Sequence, residues 1–454
     1  MELDMTKGSP FRLIVKFMIP IILGNLFQQL YNLADTVIVG RFVGVQALAA
    51  VGATGTISFL LLGFLQGLTT GFTVQTAQRF GAGDMEGVKK SVGNAAVLSV
   101  AVTVLMTAFS VLIMDWLLRL MQTPEDIMQM SKTYILIICW GMCCSVLYNL
   151  LSSILRAVGN SKVPLYFLIL SAAINVAGDL VLIINFHMGV AGAAIATVAS
   201  QGISGVLCLI YMVKKVPMLS LRKDHFRLDR WCVRNQVSVG LPMALQFSIT
   251  AVGTIMVQAA LNLLGSTVIA SYTAAGKVEQ LVTQVFVAMG MTMATYCGQN
   301  RGVNDLERIK KGARISFWIS SVYAVVIYIA VQFALPWIIR LFVSGDVTEV
   351  LRYARIYIGI CGAFFIPLGM IYIYRNVMQS CGYGFMPMMG GVVELLSRAV
   401  LAVVAASLLS YEGVCLANAS AWFFAGIFLY LAYRSVMKRM ERDKEAAQAR
   451  EAEG

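Results

Sequence analysis

Long apolar runs, interrupted by short clusters of charge, recur along the whole chain. Twelve stretches of about 20 residues or more stand near 14–39, 48–77, 91–115, 132–155, 163–186 and 189–213, then near 233–263, 267–297, 314–339, 351–379, 386–410 and 413–436. Each is long enough to cross a bilayer as a helix. The pattern predicts an all-α polytopic membrane protein whose 12 transmembrane helices use nearly the whole chain. No soluble stretch is left that could hold an active site of its own.

The pattern also repeats. A shift of 221 residues lays "AQRFGAGDMEGVKK" (77–90) over "GQNRGVNDLERIKK" (298–311) and pairs Gln78, Gly81, Asp84, Glu86, Lys89 and Lys90 with Gln299, Gly302, Asp305, Glu307, Lys310 and Lys311. A shift of 223 pairs Gly159 with Gly382 and Pro164 with Pro387, and a shift of 224 lays "GVAGAAIAT" (189–197) over "GVCLANASA" (413–421). We therefore expect two pseudo-symmetric six-helix bundles: an N-terminal lobe over 1–218, a basic linker over 219–231, a C-terminal lobe over 232–437 and a charged tail over 438–454. Six is even, so both halves enter the membrane from one side. Such parallel repeats meet at a central cavity and give alternating access by rocking.

Composition agrees. Charged residues make up 13% of the 454, against about 25% in soluble domains, and the mean hydropathy is +0.77. With the N-terminus inside, six of the 35 basic residues fall on outer segments (Arg41, Arg119, Lys132, Arg340, Arg352, Arg355), two lie in helices (Lys277, Arg398) and the rest are on inner segments. That bias predicts both termini in the cytoplasm. The net charge of +12 is scattered over membrane-flanking loops rather than set on one face, which argues against nucleic acid as a partner. The start, "MELDMTKGSPFRLIVKF", is acidic before it is basic and has no small-residue cleavage site, so the first helix is read as retained. None of the nine cysteines has metal or disulfide-framework spacing; they read as packing thiols.

Against this apolar background Asp35, in "LYNLADTVIVGRF", stands out. A charged side chain at the centre of a span costs about 2.5–3.5 kcal/mol on insertion scales, so its default reading is functional. The fifth span, "LILSAAINVAGDLVLIINF", carries a second acid, Asp179, with Asn175 four residues earlier on the same helix face. From the 1.5 Å rise per residue, Asp35 lies roughly 8 Å, and Asp179 and Thr197 roughly 12 Å, below the outer ends of their helices. Two carboxylates, an amide and a hydroxyl are hard oxygen ligands, with no Lys or Arg nearby in sequence. They suit a small cation or a shared proton. The alternative is that the acids only hydrogen-bond to helix backbone or cap a kink.

In combination, "LYNLADTVIVGRFVGVQALAAVG", "QRFGAGD" and "GVAGAAIATVAS", in that order within a twelve-helix duplicated chain, resemble the multidrug and toxic compound extrusion (MATE) family over residues 10 to about 436. The resemblance implies a secondary active efflux antiporter, not an enzyme and without cofactors. It would export small amphipathic, often cationic compounds in exchange for Na⁺ or H⁺, as a monomer in the bacterial cytoplasmic membrane. In the DinF-like branch the coupling-ion network lies in the first lobe, and its positions match Asp35, Asn175, Asp179, Thr197 and Tyr134. If sodium is the ion, the first four are its ligands. The second half does not repeat the site: the shifts set Asp35 on Met256, Asn175 on Arg398, Asp179 on Ala402 and Thr197 on Ala421.

The second half has its own charges: Lys277 and Glu279 in one span, Glu394 and Arg398 at i, i+4 in another. Mutual neutralisation of the latter pair is one reading; a substrate or second proton role for Glu279 or Glu394 is the other. Pro20 can bend the first helix near the Asp35 layer, as a fixed kink or as a hinge. Met clusters at 288–295 and 385–391 either line a cavity or pack. Lone Gly-x-x-x-Gly matches carry no information among 39 glycines. The rival function is a flippase for a lipid-linked precursor, disfavoured by the scarcity of basic residues at midplane. A membrane-embedded enzyme lacks support, since the only histidines, His187 and His225, lie in loops.

Overall fold

The computed structural model describes residues 3–121, 123–342 and 348–453, and every regular element in them is helical. In chain order these are α1 (Pro10–Phe42), α2 (Val45–Phe72), α3 (Val74–Gly81), α4 (Met85–Leu120), α5 (Glu125–Trp140), α6 (Met142–Ala157), α7 (Lys162–Leu180), α8 (Gly189–Lys215), α9 (Arg230–Asn262), α10 (Ser266–Gly302), α11 (Leu306–Phe342), α12 (Thr348–Ala363), α13 (Phe365–Ser380), α14 (Phe385–Leu408) and α15 (Tyr411–Glu453). Ten helices are long and apolar enough to span, and two bent pairs, α5 with α6 at 47° and α12 with α13 at 48°, bring the number to 12. The expected tail over 438–454 continues α15 to Glu453, and residue 454 lies outside the described residues.

The duplication recurs in local geometry. Asp84 caps α4 by accepting from the Gly87 N–H at 2.8 Å, and Asp305 accepts from the Arg308 N–H at 2.9 Å at the start of α11. Gly159 and Gly382 both take left-handed φ, 87° and 94°, between the matching helices. Each half breaks one span. Gly141 separates α5 from α6 because a Cβ there would lie 2.2 Å from Val198 of α8, and Pro367 stands in the first turn of α13, where a missing N–H costs nothing.

The chain divides into two compact units that are not its two halves in sequence. Unit 1 is Met1–Asp4 with Ile19–Phe247, and unit 2 is Met5–Met18 with Ser248–Gly454. Helices α1 and α9 therefore each contribute to both. In unit 1 the segment after α8 is folded down rather than loose. His225 Nε2 pairs with Glu86 Oε1 at 2.7 Å, and Asn94 of α4 bonds the Arg227 carbonyl and the Asp229 N–H at 3.2 and 2.9 Å. In unit 2 the Met5 N–H donates to Gln299 Oε1 at 2.8 Å, and Arg308 donates to the Met5 carbonyl.

Apolar chains gain nothing by leaving lipid for each other, so packing between spans depends on close backbone approach. Gly67 and Gly71 of α2 supply it against α9: a Cβ on Gly71 would sit 2.3 Å from the Gly240 Cα, and one on Gly67 2.7 Å from the Ala244 Cα. Gly55, higher on α2, has nothing within 4 Å. Gly71→Ala should thus destabilise the fold by about 1–3 kcal/mol as an overpacking change and lower the melting temperature accordingly, with Gly55→Ala neutral. Equal melting curves for the two would show that this crossing adapts freely.

Candidate functional site

The carboxyl-bearing site lies wholly within unit 1 and draws on four helices. Asp35 comes from α1, Tyr134 from α5, Asn175 and Asp179 from α7, and Thr197 from α8. The structure brings all five sequence-identified residues together. Asn175 Nδ2 donates to Thr197 Oγ1 at 3.3 Å, tying α7 to α8, and the Asp35 and Asp179 carboxyl groups face each other at interacting distance. Tyr134 stands beside both acids and packs against a cluster that includes Ile38, Val39, Ile183 and Val190. Gly178 is what allows α7 to lie so close to α8, since its Cβ would meet Ala196 at 3.0 Å.

Burial makes the arrangement unusual. Asp179 is 0% exposed and Asn175 1%. Among the described residues, Asp35 Oδ1, Asn175 Oδ1 and both Asp179 oxygens have no hydrogen-bond donor, and neither acid has an ion-pair partner. Ionised carboxylates only accept, so facing each other they satisfy nothing. Buried acceptors without donors cost free energy. A single proton shared by the pair, or one cation among the four oxygens, removes that cost. Two residues past Asp179 the five residues Val181–Asn185 wind as a π-helix, a widened turn that recurs at functional sites and alters the register between Asp179 and the end of its span.

Sequence reading passed over two members. Tyr31, one turn before Asp35 on α1, borders the acid and faces Gln28 and Gln201, the last from α8. An i, i+4 search outward from Asp35 would have found Tyr31; nothing in the sequence marks Gln201.

Unit 2 holds a different polar core at the matching helices. Tyr357 is the repeat partner of Tyr134 under the shift of 223 residues, and its hydroxyl donates to Glu279. Where Asn175 bonds Thr197, Arg398 Nε donates to Asn418 Oδ1 at 3.2 Å, and Asn418 Nδ2 donates to Tyr272 Oη at 2.8 Å. Glu394 has Arg398 at 3.5 Å, but also a second and closer partner, Arg375 of α13, that sequence reading overlooked. Lys277 is solvent- or lipid-exposed and takes no part in this network. Two acids and two guanidinium groups leave this core neutral, whereas the Asp35–Asp179 site of unit 1 has two acids and, among the described residues, no ion-paired base. Pro20 stands two residues past the point where α1 passes from unit 2 to unit 1, and α1 continues through it as a helix.

The MatE family model matches this chain twice, over residues 20–181 and 242–404. The chain is 26% identical over 437 residues to a probable multidrug resistance protein, YpnP, of Bacillus subtilis, covering 95% of this chain and 96% of the relative. It is 30% identical over 202 residues to DNA damage-inducible protein F of Escherichia coli, covering 44% of this chain and 43% of that one. Its fold is similar to the outward-facing conformation of a multidrug resistance MATE family transporter of the MOP superfamily, with a TM-score of 0.90, 21% identity and coverage of 96% and 98%. With its polytopic helical fold and two copies of the matching unit, the chain belongs to the MatE family.

Proposed function

We propose that the protein is a secondary active multidrug efflux antiporter that exports amphipathic, cationic compounds in exchange for Na⁺ or H⁺ by alternating access. The observation that carries this reading is the Asp35–Asp179 pair, a half-buried and a fully buried carboxyl group that face each other with unsatisfied oxygens and, among the described residues, no ion-pair partner. Loading a cation there neutralises the site; releasing it restores the repulsion. The helices bearing the two acids, α1 and α7, thereby prefer different arrangements with and without the ion. Pro20, beside the unit boundary in α1, is the hinge in this scheme. Each monovalent cation moving inward supplies about 2.3 kcal/mol per 100 mV, plus its concentration gradient. The multidrug name of a relative that matches 95% of this chain supports the substrate class.

The protein acts as a monomer in the bacterial cytoplasmic membrane, with both termini in the cytoplasm and the loops at Gly44, His187 and Glu412 outside. Purified protein in liposomes loaded with ethidium tests the coupling. Dye transport should respond to an imposed Na⁺ gradient or to an imposed pH gradient, and the responsive arm identifies the ion. Transport indifferent to both gradients would sink the antiport reading.

A further inference from the structure

Unit 2 carries a cleft of 510 Å³ between the first part of α11 and the stretch of α15 from Tyr430 to Glu441, lined by none of the polar-core residues named above. Its floor is aromatic: Tyr374 of α13 lies 5.2 and 4.9 Å, centroid to centroid, from Tyr430 and Tyr433 of α15. Its rim is basic. Lys310 is engaged by Glu307 at 2.8 Å and by Glu441, so its charge is spent. Arg314, Arg434 and Lys438 have no ion-pair partner among the described residues, although Glu307 lies near enough to Arg314 to be felt.

The internal repeat gives this cleft its meaning. A shift of 221 residues sets Arg314 on Gly93 of α4. In unit 1 that surface is covered: the segment after α8 folds back so closely that a Cβ on Gly93 would lie 2.1 Å from the His225 carbonyl oxygen. Among the described residues of unit 2 no segment folds back over Arg314: α15 is helical to Glu453, and the glycine is replaced by a cation. The level is also defined. The apolar run of α15 ends at Tyr433, and the sequence turns to "RSVMKRMERDK" at 434–444, so the cleft stands where the span leaves hydrocarbon. Tyrosines and cations at that depth are the side chains that meet lipid headgroups.

We propose that this cleft binds the phosphate headgroup of an anionic phospholipid, with Arg314, Arg434 and Lys438 around the phosphate and the tyrosine floor against the glycerol and upper acyl chain. The proposal does not rest on ion coupling. Native mass spectrometry of the full-length protein from mixed micelles of phosphatidylglycerol and phosphatidylcholine tests it. Wild type should retain phosphatidylglycerol preferentially. Arg314→Gln with Lys438→Gln should weaken that retention about thirtyfold, at about 1 kcal/mol per cation near an anionic lipid, with phosphatidylcholine retention and melting temperature unchanged. Lys214→Gln with Lys215→Gln, removing two exposed cations at the end of α8, should behave as wild type. The proposal is overturned if the first double variant keeps its preference, if the second loses it equally, or if millimolar inorganic phosphate displaces the lipid, which would make free phosphate the ligand.

Discussion

Asp35→Asn should reduce gradient-driven export to the level of protein-free liposomes while leaving the protein folded and able to bind drug. Asn has nearly the shape of Asp, so the packing of α1 is kept, but the only group at that position able to take up and release a cation is gone. Facing Asp179, the new amide would donate to an oxygen that has no donor in the native site, so the melting temperature should hold or rise. Asp179→Asn should behave alike, and the double variant should be little worse than either single one, because residues acting as a unit are non-additive. Asp35→Glu keeps the charge on a longer arm and should give partial transport with a shifted pH or Na⁺ dependence. Wild-type export by Asp35→Asn would mean that the acid is structural.

The second large effect is expected in unit 2 and has the opposite character. Glu394→Gln should cost about 3–5 kcal/mol and much of the folded yield, because it leaves Arg375 and Arg398 buried without their shared carboxylate. Adding Arg375→Met should recover part of the loss, since Arg398 and Glu279 then balance. If Glu394→Gln melts like wild type but stops transport, this core is functional rather than architectural.

Much of this was legible in the sequence, for identifiable reasons. Spans are written as apolar length, so twelve apolar stretches predict the twelve spans. The repeat is written at caps and turns, where Asp84 and Asp305 or Gly159 and Gly382 are needed for backbone reasons. Asp35 and Asp179 stand out because an acid in a span is costly whatever its neighbours. What stayed hidden depends on the neighbours. Arg375 sits near the end of the stretch 351–379, where a base reads as an interface charge until α14 is seen against it. Tyr31 and Gln201 are ordinary residues made notable only because the first borders Asp35 and the second faces the first. The glycines of α2 are indistinguishable in sequence, and only the approach of α9 separates Gly71 from Gly55. The breaks at Gly141 and before Pro367 likewise answer to a neighbouring helix or a local turn, not to any lapse in apolarity.

Residue Met5, finally, is fully buried and bonded to Gln299, 294 positions further along, and Ile14 and Phe17 of the same segment are equally covered. During synthesis those partners do not yet exist. At roughly 5–20 residues per second the ribosome needs on the order of 15–60 s to supply them. For that interval the first helix of the nascent chain is half finished in its packing: its later part can settle into unit 1 while its beginning must wait for unit 2. A chain stopped before residue 299 would therefore present an unsatisfied start rather than a self-sufficient half, which gives quality-control proteases a distinct mark of incomplete synthesis.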